Sequence, residues 1–343
     1  MLNFTVGPVM SPSEVLEVSA KSAPYFRTPE FSQVMQENER IMLDLLSAPK
    51  DSRCVFLTAS GTGAMEAAVM SVLAPAERVA VVNGGSFGQR FVDLCQLHGH
   101  TVDEIELEFG HQIARKNLED AVDLSCGTLL VNMHETSSGL LYDMSLLSDF
   151  CRERGMALIV DAVSAFIAEE IDMAALGADV VLTGSQKALA CHPGISIMAL
   201  SPRGQERVAE NPEVCSYLSL KEALRNGERG QTPWTPAVNT LLEINARLRS
   251  IEARGIDAER AEIASRAKAV RDALTSTTLE MVPENPSNAV TALRCPASNA
   301  KAIIERAKTG YGMWLCPNGG ALCDEVFRIG HIGAITEEDN DRL

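Results

Sequence analysis

From Cys54 to about Ser201 the chain alternates short β-branched and aliphatic runs with stretches whose apolar residues fall at helical spacing. That alternation restricts the region to one architecture, a mainly parallel sheet covered by helices, because parallel strands need a crossover between them. Seven strands are expected: Cys54–Thr58, Arg78–Val82, Thr101–Leu107, Gly127–Asn132, Met156–Val160, Val180–Thr183 and Ile195–Leu200. Ala64–Leu73 and Ser145–Arg154 carry the helical pattern, and Gly155 suits the left-handed position that ends the second. The expected fold class is α/β, built on a mainly parallel seven-stranded sheet.

Beyond Leu200 the texture changes. Ser201-Pro202-Arg203-Gly204 reads as a turn, and a glycine- and charge-rich stretch runs from Arg225 to Gly230. A long helix is expected from about Pro236, with Val238, Leu241, Leu242, Ile244, Leu248 and Ile251 on one side and Gly255 as its stop. A helical pattern over Asp257–Leu274 leads to a strand near Ala289–Arg294, a helix near Ala297–Lys308 and a strand at Val326–Ile329. Thr336 and the acids after it read as a helix N-cap with an acidic first turn. These elements make a smaller α+β domain. The 343 residues divide into an arm over 1–15, a large domain over 16–245 and a small C-terminal domain over 246–343.

The 46 acidic residues outnumber 30 basic ones, and the net charge of −16 repels nucleic-acid phosphates and anionic membranes. An aromatic content of 5% also argues against a base-stacking platform. No apolar run approaches the ~18 residues of a membrane span, and the first residues lack the basic and apolar segments of a secretory leader. The chain therefore reads as cytosolic, without a nucleic-acid or membrane partner. A small anionic substrate then requires a local basic site. Nine cysteines, an odd number with no C-x-x-C pair, read as reduced, buried small hydrophobes. Cys95, His98 and His100 come nearest to metal-ligand spacing, but they straddle Gly99, where a helix should stop, and no metal is expected.

Ligands of open parallel sheets sit beyond the carboxyl ends of the strands, so chemistry is sought there. After Cys54–Thr58 comes Ser60-Gly61-Thr62-Gly63, directly before a helix. Free N–H groups, a helix dipole and two hydroxyls would cradle a phosphate, although an ordinary strand-to-helix turn looks the same. After Met156–Val160 comes Asp161, an acid leaving an apolar strand in want of a cationic partner. After Val180–Leu182 comes Thr183-Gly184-Ser185-Gln186-Lys187, with Ala188-Leu189-Ala190 beyond it. A lysine between a polar turn and an apolar run can be desolvated into a usable amine nucleophile. Phosphate cradle, acid and lysine together are what pyridoxal 5′-phosphate (PLP) needs for its phosphate, its ring nitrogen and its aldehyde.

On these residues the chain resembles the class V aminotransferase family of fold-type I PLP enzymes, most like alanine–glyoxylate and serine–pyruvate aminotransferases and 2-aminoethylphosphonate transaminases. The likeness runs from Phe4-Thr5-Val6-Gly7-Pro8-Val9 to Phe327-Arg328-Ile329-Gly330-His331-Ile332-Gly333. Gly184-Ser185-Gln186-Lys187-Ala188-Leu189, followed by Pro193-Gly194, is its most specific segment. The resemblance implies that Lys187 is the Schiff-base lysine and Asp161 the partner of the pyridinium nitrogen. Val163 would pack on the ring, and Ser60, Gly61, Thr62 and Gln186 would hold the phosphate. Phe87, in Gly85-Ser86-Phe87-Gly88-Gln89-Arg90, falls where the family stacks an aromatic ring; read alone it is a core residue of the stripe Phe87, Phe91, Leu94. Ser137, in His134-Glu135-Thr136-Ser137-Ser138-Gly139, matches a hydroxyl near the ring oxygen O3′. Thr235, and more weakly Thr232, match a threonine that reaches the phosphate of the other subunit, so a homodimer is implied. Arg328 matches the arginine that receives the substrate carboxylate, for which a planar guanidinium is suited.

The implied reaction is transamination between a small amino acid, alanine or serine, and a small 2-keto acid, glyoxylate or pyruvate. Lys187 would shuttle the proton between the substrate Cα and the cofactor C4′. 2-Aminoethylphosphonate is an alternative donor, since Arg328 could hold a phosphonate. An NAD-dependent oxidoreductase fits poorly: after Gly61-x-Gly63 the third glycine position is Glu66, and the next strand ends in Asn83 rather than an acid. Cysteine desulfurases carry histidines where this chain has Gln186 and Phe87. The competitor outside enzymology is a PLP-fold protein that binds the cofactor and serves as an inactive scaffold.

Overall fold

The structure is a computed structural model that describes all 343 residues. Seven strands form the large sheet in the order Arg53–Thr58, Ile195–Leu200, Val180–Gly184, Ala157–Asp161, Thr128–Asn132, Arg78–Asn83 and Thr101–Glu106. The last five in that order pair in parallel, whereas Ile195–Leu200 runs antiparallel to both of its neighbours. Arg53–Thr58 therefore points the same way as the parallel strands. Six strands thus deliver their carboxyl ends to one edge of the sheet.

Side-chain alternation divides the core into two layers, as period-two geometry demands. Ala80, Val82, Leu129, Val131, Leu158 and Val160 face one layer, with Leu147 and Phe150 of the helix Met144–Arg154. Val79, Val81, Leu130 and Ile159 face the other, against Ala64, Ala68 and Val72 of the helix Gly61–Val72 and Phe91 of the helix Ser86–Leu97. Burial on both faces explains why these strands read as unbroken apolar runs.

The helix expected over Ala64–Leu73 begins at Gly61, with Ser60 as its N-cap, so the Ser60–Gly63 turn is itself the first turn of the helix. The strand expected over Met156–Val160 is displaced by one residue, and Asp161 is its last member. Val238–Arg254 forms one continuous helix, and its Val238, Leu241, Ile244, Leu248 and Ile251 all bury in the large core. The expected domain boundary after residue 245 falls within that helix, which ends at Gly255 with φ +85°. Leu2–Phe4 pairs in parallel with Met313–Pro317 at the edge of a second, five-stranded sheet, ordered Leu2–Phe4, Met313–Pro317, Val326–Gly330, Val290–Arg294 and Glu280–Met281. Phe4 is fully enclosed there with Leu293, Leu315 and Phe327.

All nine cysteines are free, six of them buried. His98 turns to Glu66 at 3.2 Å, while Cys95 lies in the core, so the helix end at Leu97 separates the spaced residues.

Candidate active site

The carboxyl ends of the parallel strands bring Asp161 and Lys187 near enough for each charge to act on the other. Asp161 closes the strand Ala157–Asp161, whose neighbour Val180–Gly184 runs on through Ser185 and Gln186 to Lys187. The Lys187 turn is pinned at several points. Ala190 N donates to Lys187 O at 2.8 Å, Cys191 N to Ser185 O at 3.0 Å, and Ser185 Oγ to His192 O at 2.7 Å. Ala190 sits in the left-handed region at φ +55°, a conformation that costs a residue with a Cβ and is imposed by that closed turn.

The Lys187 amine lies under the N-terminal segment and donates to Val6 O at 2.6 Å. Gly7, at φ +123°, permits the approach: a Cβ there would meet Lys187 Cδ at 2.7 Å and Nζ at 3.0 Å. Burial pushes the lysine down to about 8; Arg328 and Arg90 push the same way, opposed by Cys316 and Asp161. Asp161 is shielded as well, and burial pushes it up to about 6, helped by the charge of Glu135 and opposed by the hydrogen bond from Val163 and by Lys187. Its Oδ1 accepts from Val163 N at 2.8 Å. No group of the chain donates to the other oxygen.

Gly61 and Val163 meet, since a Cβ on Gly61 would lie 3.0 Å from Val163 Cγ2. The first turn of the Gly61–Val72 helix thereby packs directly on the turn after Asp161. Ser60 Oγ accepts from Gly63 N at 3.4 Å, and Ser196 Oγ holds Ser60 O at 2.6 Å. The N–H groups of Gly61 and Thr62 have no acceptor in the chain, which leaves the positive end of the helix open. Gln186 folds back over Gly184, and its Oε1 is buried without a donor.

Phe87 stands in the first turn of the Ser86–Leu97 helix, half-buried rather than in the core with Phe91 and Leu94. Its N–H donates to Glu135 Oε2 at 3.2 Å, and its ring lies 4.8 Å from the Arg90 guanidinium carbon. Glu135, fully buried, also accepts from Gly88 N, Asn132 Nδ2, Ser137 N and Ser137 Oγ. That carboxylate therefore caps the helix carrying Phe87. Ser137 is thereby committed: its hydroxyl donates to Glu135 and accepts from Ser86 N at 3.2 Å. The preceding hydroxyl, Thr136 Oγ1, pairs with Ser164 Oγ at 2.6 Å.

Arg328 enters from the smaller sheet. Nη1 donates to Thr136 O at 3.2 Å and Nη2 to Pro317 O at 2.6 Å, while Nε is buried with no acceptor. Lys187, Arg90 and Arg328 all lack a carboxylate within salt-bridge distance, although the chain is strongly acidic. Arg328 and Arg90 both act on Lys187, so the three cations stand near one another. Thr235 is not drawn into this cluster. It is exposed beside Trp234, on a turn held to the strand Arg53–Thr58 by the bond from Ala237 N to Thr58 Oγ1 at 3.1 Å. Thr232 is buried and bonds to Trp234 O at 2.8 Å.

Glu135, Arg90 and the Val6–Gly7 segment are the site residues that sequence reasoning left without a role. Glu135 and Arg90 stand inside the two motifs that supplied Ser137 and Phe87, three residues beyond Phe87 in the case of Arg90. Nothing in the sequence joins Val6 to Lys187.

A two-layered parallel sheet with a desolvated lysine and a buried acid at its carboxyl edge defines a fold-type I transferase architecture. The sequence profile of the aminotransferase class-V family matches residues 14–304, and the chain belongs to that family. It is 30% identical over 342 residues to the soluble hydrogenase 42 kDa subunit of Anabaena cylindrica, covering 97% of this chain and 88% of that one. It is 28% identical over 345 residues to the L-aspartate–glyoxylate aminotransferase of Paracoccus denitrificans, covering 97% and 87%. Among solved structures, the aspartate aminotransferase of subgroup IV from Thermus thermophilus superposes with a TM-score of 0.93 at 29% identity, covering 99% of this chain and 96% of that one. The chain is an aminotransferase of class V.

Proposed function

We propose that the protein uses PLP to move an amino group from a small amino acid to a small 2-keto acid. The observation that carries this reading is the convergence of Lys187 Nζ and the Asp161 carboxylate at the ends of two adjacent parallel strands. The residues fit the cofactor by their unmet bonding capacity. Asp161 has one oxygen without a donor, and the turn at Gly61 and Thr62 offers two free N–H groups beside Ser60. Asp161 would hold the ring nitrogen, Ser60–Thr62 and the amide nitrogen of Gln186 the phosphate, Val163 and Phe87 the two faces of the ring, and Lys187 the aldehyde carbon. Bound there, PLP supplies an electron-withdrawing ring that acidifies the substrate Cα–H.

The chain's own groups do the rest. Arg328 orients the amino acid by its carboxylate, for which the unpartnered Nε and a neighbouring Nη form a bidentate fork. The free amine of Lys187 would take the proton from the substrate Cα as general base and pass it to the cofactor C4′ as general acid. A lysine poised near 8 is suited to both roles at neutral pH. Asp161 keeps its negative charge opposite the ring nitrogen once that nitrogen is protonated. Glu135 fixes Phe87 by capping its helix.

Alanine and serine are the donors we assign, with glyoxylate or pyruvate as acceptor. The name of the Paracoccus denitrificans relative favours glyoxylate and adds aspartate to the donors worth testing. We further propose a homodimer in which the exposed Thr235 of each chain reaches the other's phosphate site, in the reducing cytosol that suits nine free thiols. No helix is long and apolar enough to cross a membrane.

The test is a half-reaction. Protein reconstituted with PLP should show a visible band that bleaches with one of these donors and returns with a keto acid. A band that no amino donor bleaches would leave the inactive scaffold in its place.

A further inference from the structure

Arg90 is the cation of the site that no part of the reading above employs. It projects from the Ser86–Leu97 helix toward the first turn of the Gly61–Val72 helix, where its Nη1 donates to Thr62 Oγ1 at 3.0 Å. Its guanidinium rests on the ring of Phe87. Those two contacts fix the plane of the group, while Nε and Nη2 make no hydrogen bond within the chain. Several arginines of the acid-rich chain are paired with carboxylates, as Arg53 is with Glu39, Arg207 with Glu77 and the buried Arg247 with Glu259. Arg90 has no such partner. A fixed guanidinium and the open positive end of a twelve-residue helix therefore meet at Thr62 with no anion between them. Like charges held together in a shielded place favour the entry of a multiply charged anion.

We propose that Arg90 is the chain's own cationic ligand for the cofactor phosphate, completing the Ser60–Thr62 turn. The site takes a phosphate monoester, the backbone N–H groups serving two oxygens and the free guanidinium nitrogens a third. This rests on the PLP reading, and it adds to that reading a charge that the turn, Gln186 and Thr235 do not provide. It also gives Phe87 a second role, as the platform that holds the guanidinium in plane.

The phosphate term is isolated by comparing two aldehydes, PLP and pyridoxal, which differ only in the phosphate. Visible absorbance titrations give a dissociation constant for each with the wild-type protein, Arg90→Met and Arg90→Lys. Loss of one charge-assisted contact should weaken PLP by roughly 10- to 100-fold in Arg90→Met. Pyridoxal affinity should stay within about 2-fold, and Arg90→Lys should recover part of the loss. If Arg90→Met weakens both aldehydes equally, Arg90 shapes the site without binding phosphate, and the proposal fails. It fails too if neither aldehyde is weakened. A wild-type protein that takes up neither aldehyde overturns the PLP reading and this assignment together, whereas normal wild-type uptake with an unchanged ratio in Arg90→Met overturns the assignment alone.

Discussion

Lys187 Nζ donates to the carbonyl of Val6 at 2.6 Å, so the amine that defines the site is aimed by backbone from the far end of the chain. Val6 is set in place from the smaller sheet. Leu2–Phe4 is hydrogen-bonded into that sheet, and two residues after Phe4 the carbonyl of Val6 meets the amine. The two sheets thus share control of one side chain.

Gly7→Ala tests that control. An alanine would hold φ +123° under strain of about 1–3 kcal/mol and press its Cβ on Lys187 Cδ. The amine should leave its position, and formation of the PLP adduct should slow by roughly 100-fold with the far-UV circular dichroism unchanged. An adduct formed at the wild-type rate would show that Val6 does not aim the lysine.

The pH dependence follows from the lysine, whose neutral form is the nucleophile. The rate of adduct formation should rise with pH and level off above about 8. Stability carries the same signature. The folded pKa lies below the ordinary 10.5, so between about 8 and 10.5 the unfolded chain binds more protons and this group's contribution to stability rises with pH. Lys187→Met should therefore exceed the wild type in urea stability at pH 7, with the gap narrowing as pH rises through that window. Asp161 works in the opposite sense at lower pH. Its raised pKa makes the folded chain the better proton binder between 3.8 and about 6, and its contribution falls as pH rises there.

Arg328→Leu separates carboxylate binding from chemistry. Removing a bidentate, charge-assisted pair should raise KM for the amino acid by roughly two orders of magnitude. Simple amines without a carboxylate should react as they do with the wild type. The midpoint for adduct formation should also move up, because Arg328 is one of the charges holding Lys187 below its ordinary value.

Glu135→Gln probes the cap beneath Phe87. The carboxylate accepts from Phe87 N, Gly88 N, Asn132 and Ser137, and an amide cannot accept from all of them. A loss of about 1–3 kcal/mol in urea denaturation is expected. Asp161 should titrate lower without the neighbouring charge that helps to raise it.

The large sheet was legible because its strands are buried on both faces, and continuous apolar runs such as Leu129–Val131 and Ile159–Val160 mark them whatever their order. The order was not legible. Ile195–Leu200 has the same texture as its parallel neighbours, and only its pairing shows it to be antiparallel. Lys187 and Asp161 could be found because each follows a recognisable strand. Glu135 could not, since its importance lies in donors from a helix almost fifty residues away as well as from its own loop. Leu2–Phe4 is too short to announce a strand, and its pairing with Met313–Pro317 joins opposite ends of the sequence. The continuity of the Val238–Arg254 helix past residue 245 was not legible from its charged residues. Arg247 is in fact buried, paired with Glu259 at 2.6 Å.

The central claim is that one amine, that of Lys187, receives the cofactor. Borohydride reduction of the protein with PLP, followed by peptide mass spectrometry, tests it most directly. The account predicts a single reduced pyridoxyl-phosphate adduct, on Lys187, that is absent from Lys187→Ala. An adduct on another lysine, or one that survives Lys187→Ala in equal yield, would contradict it.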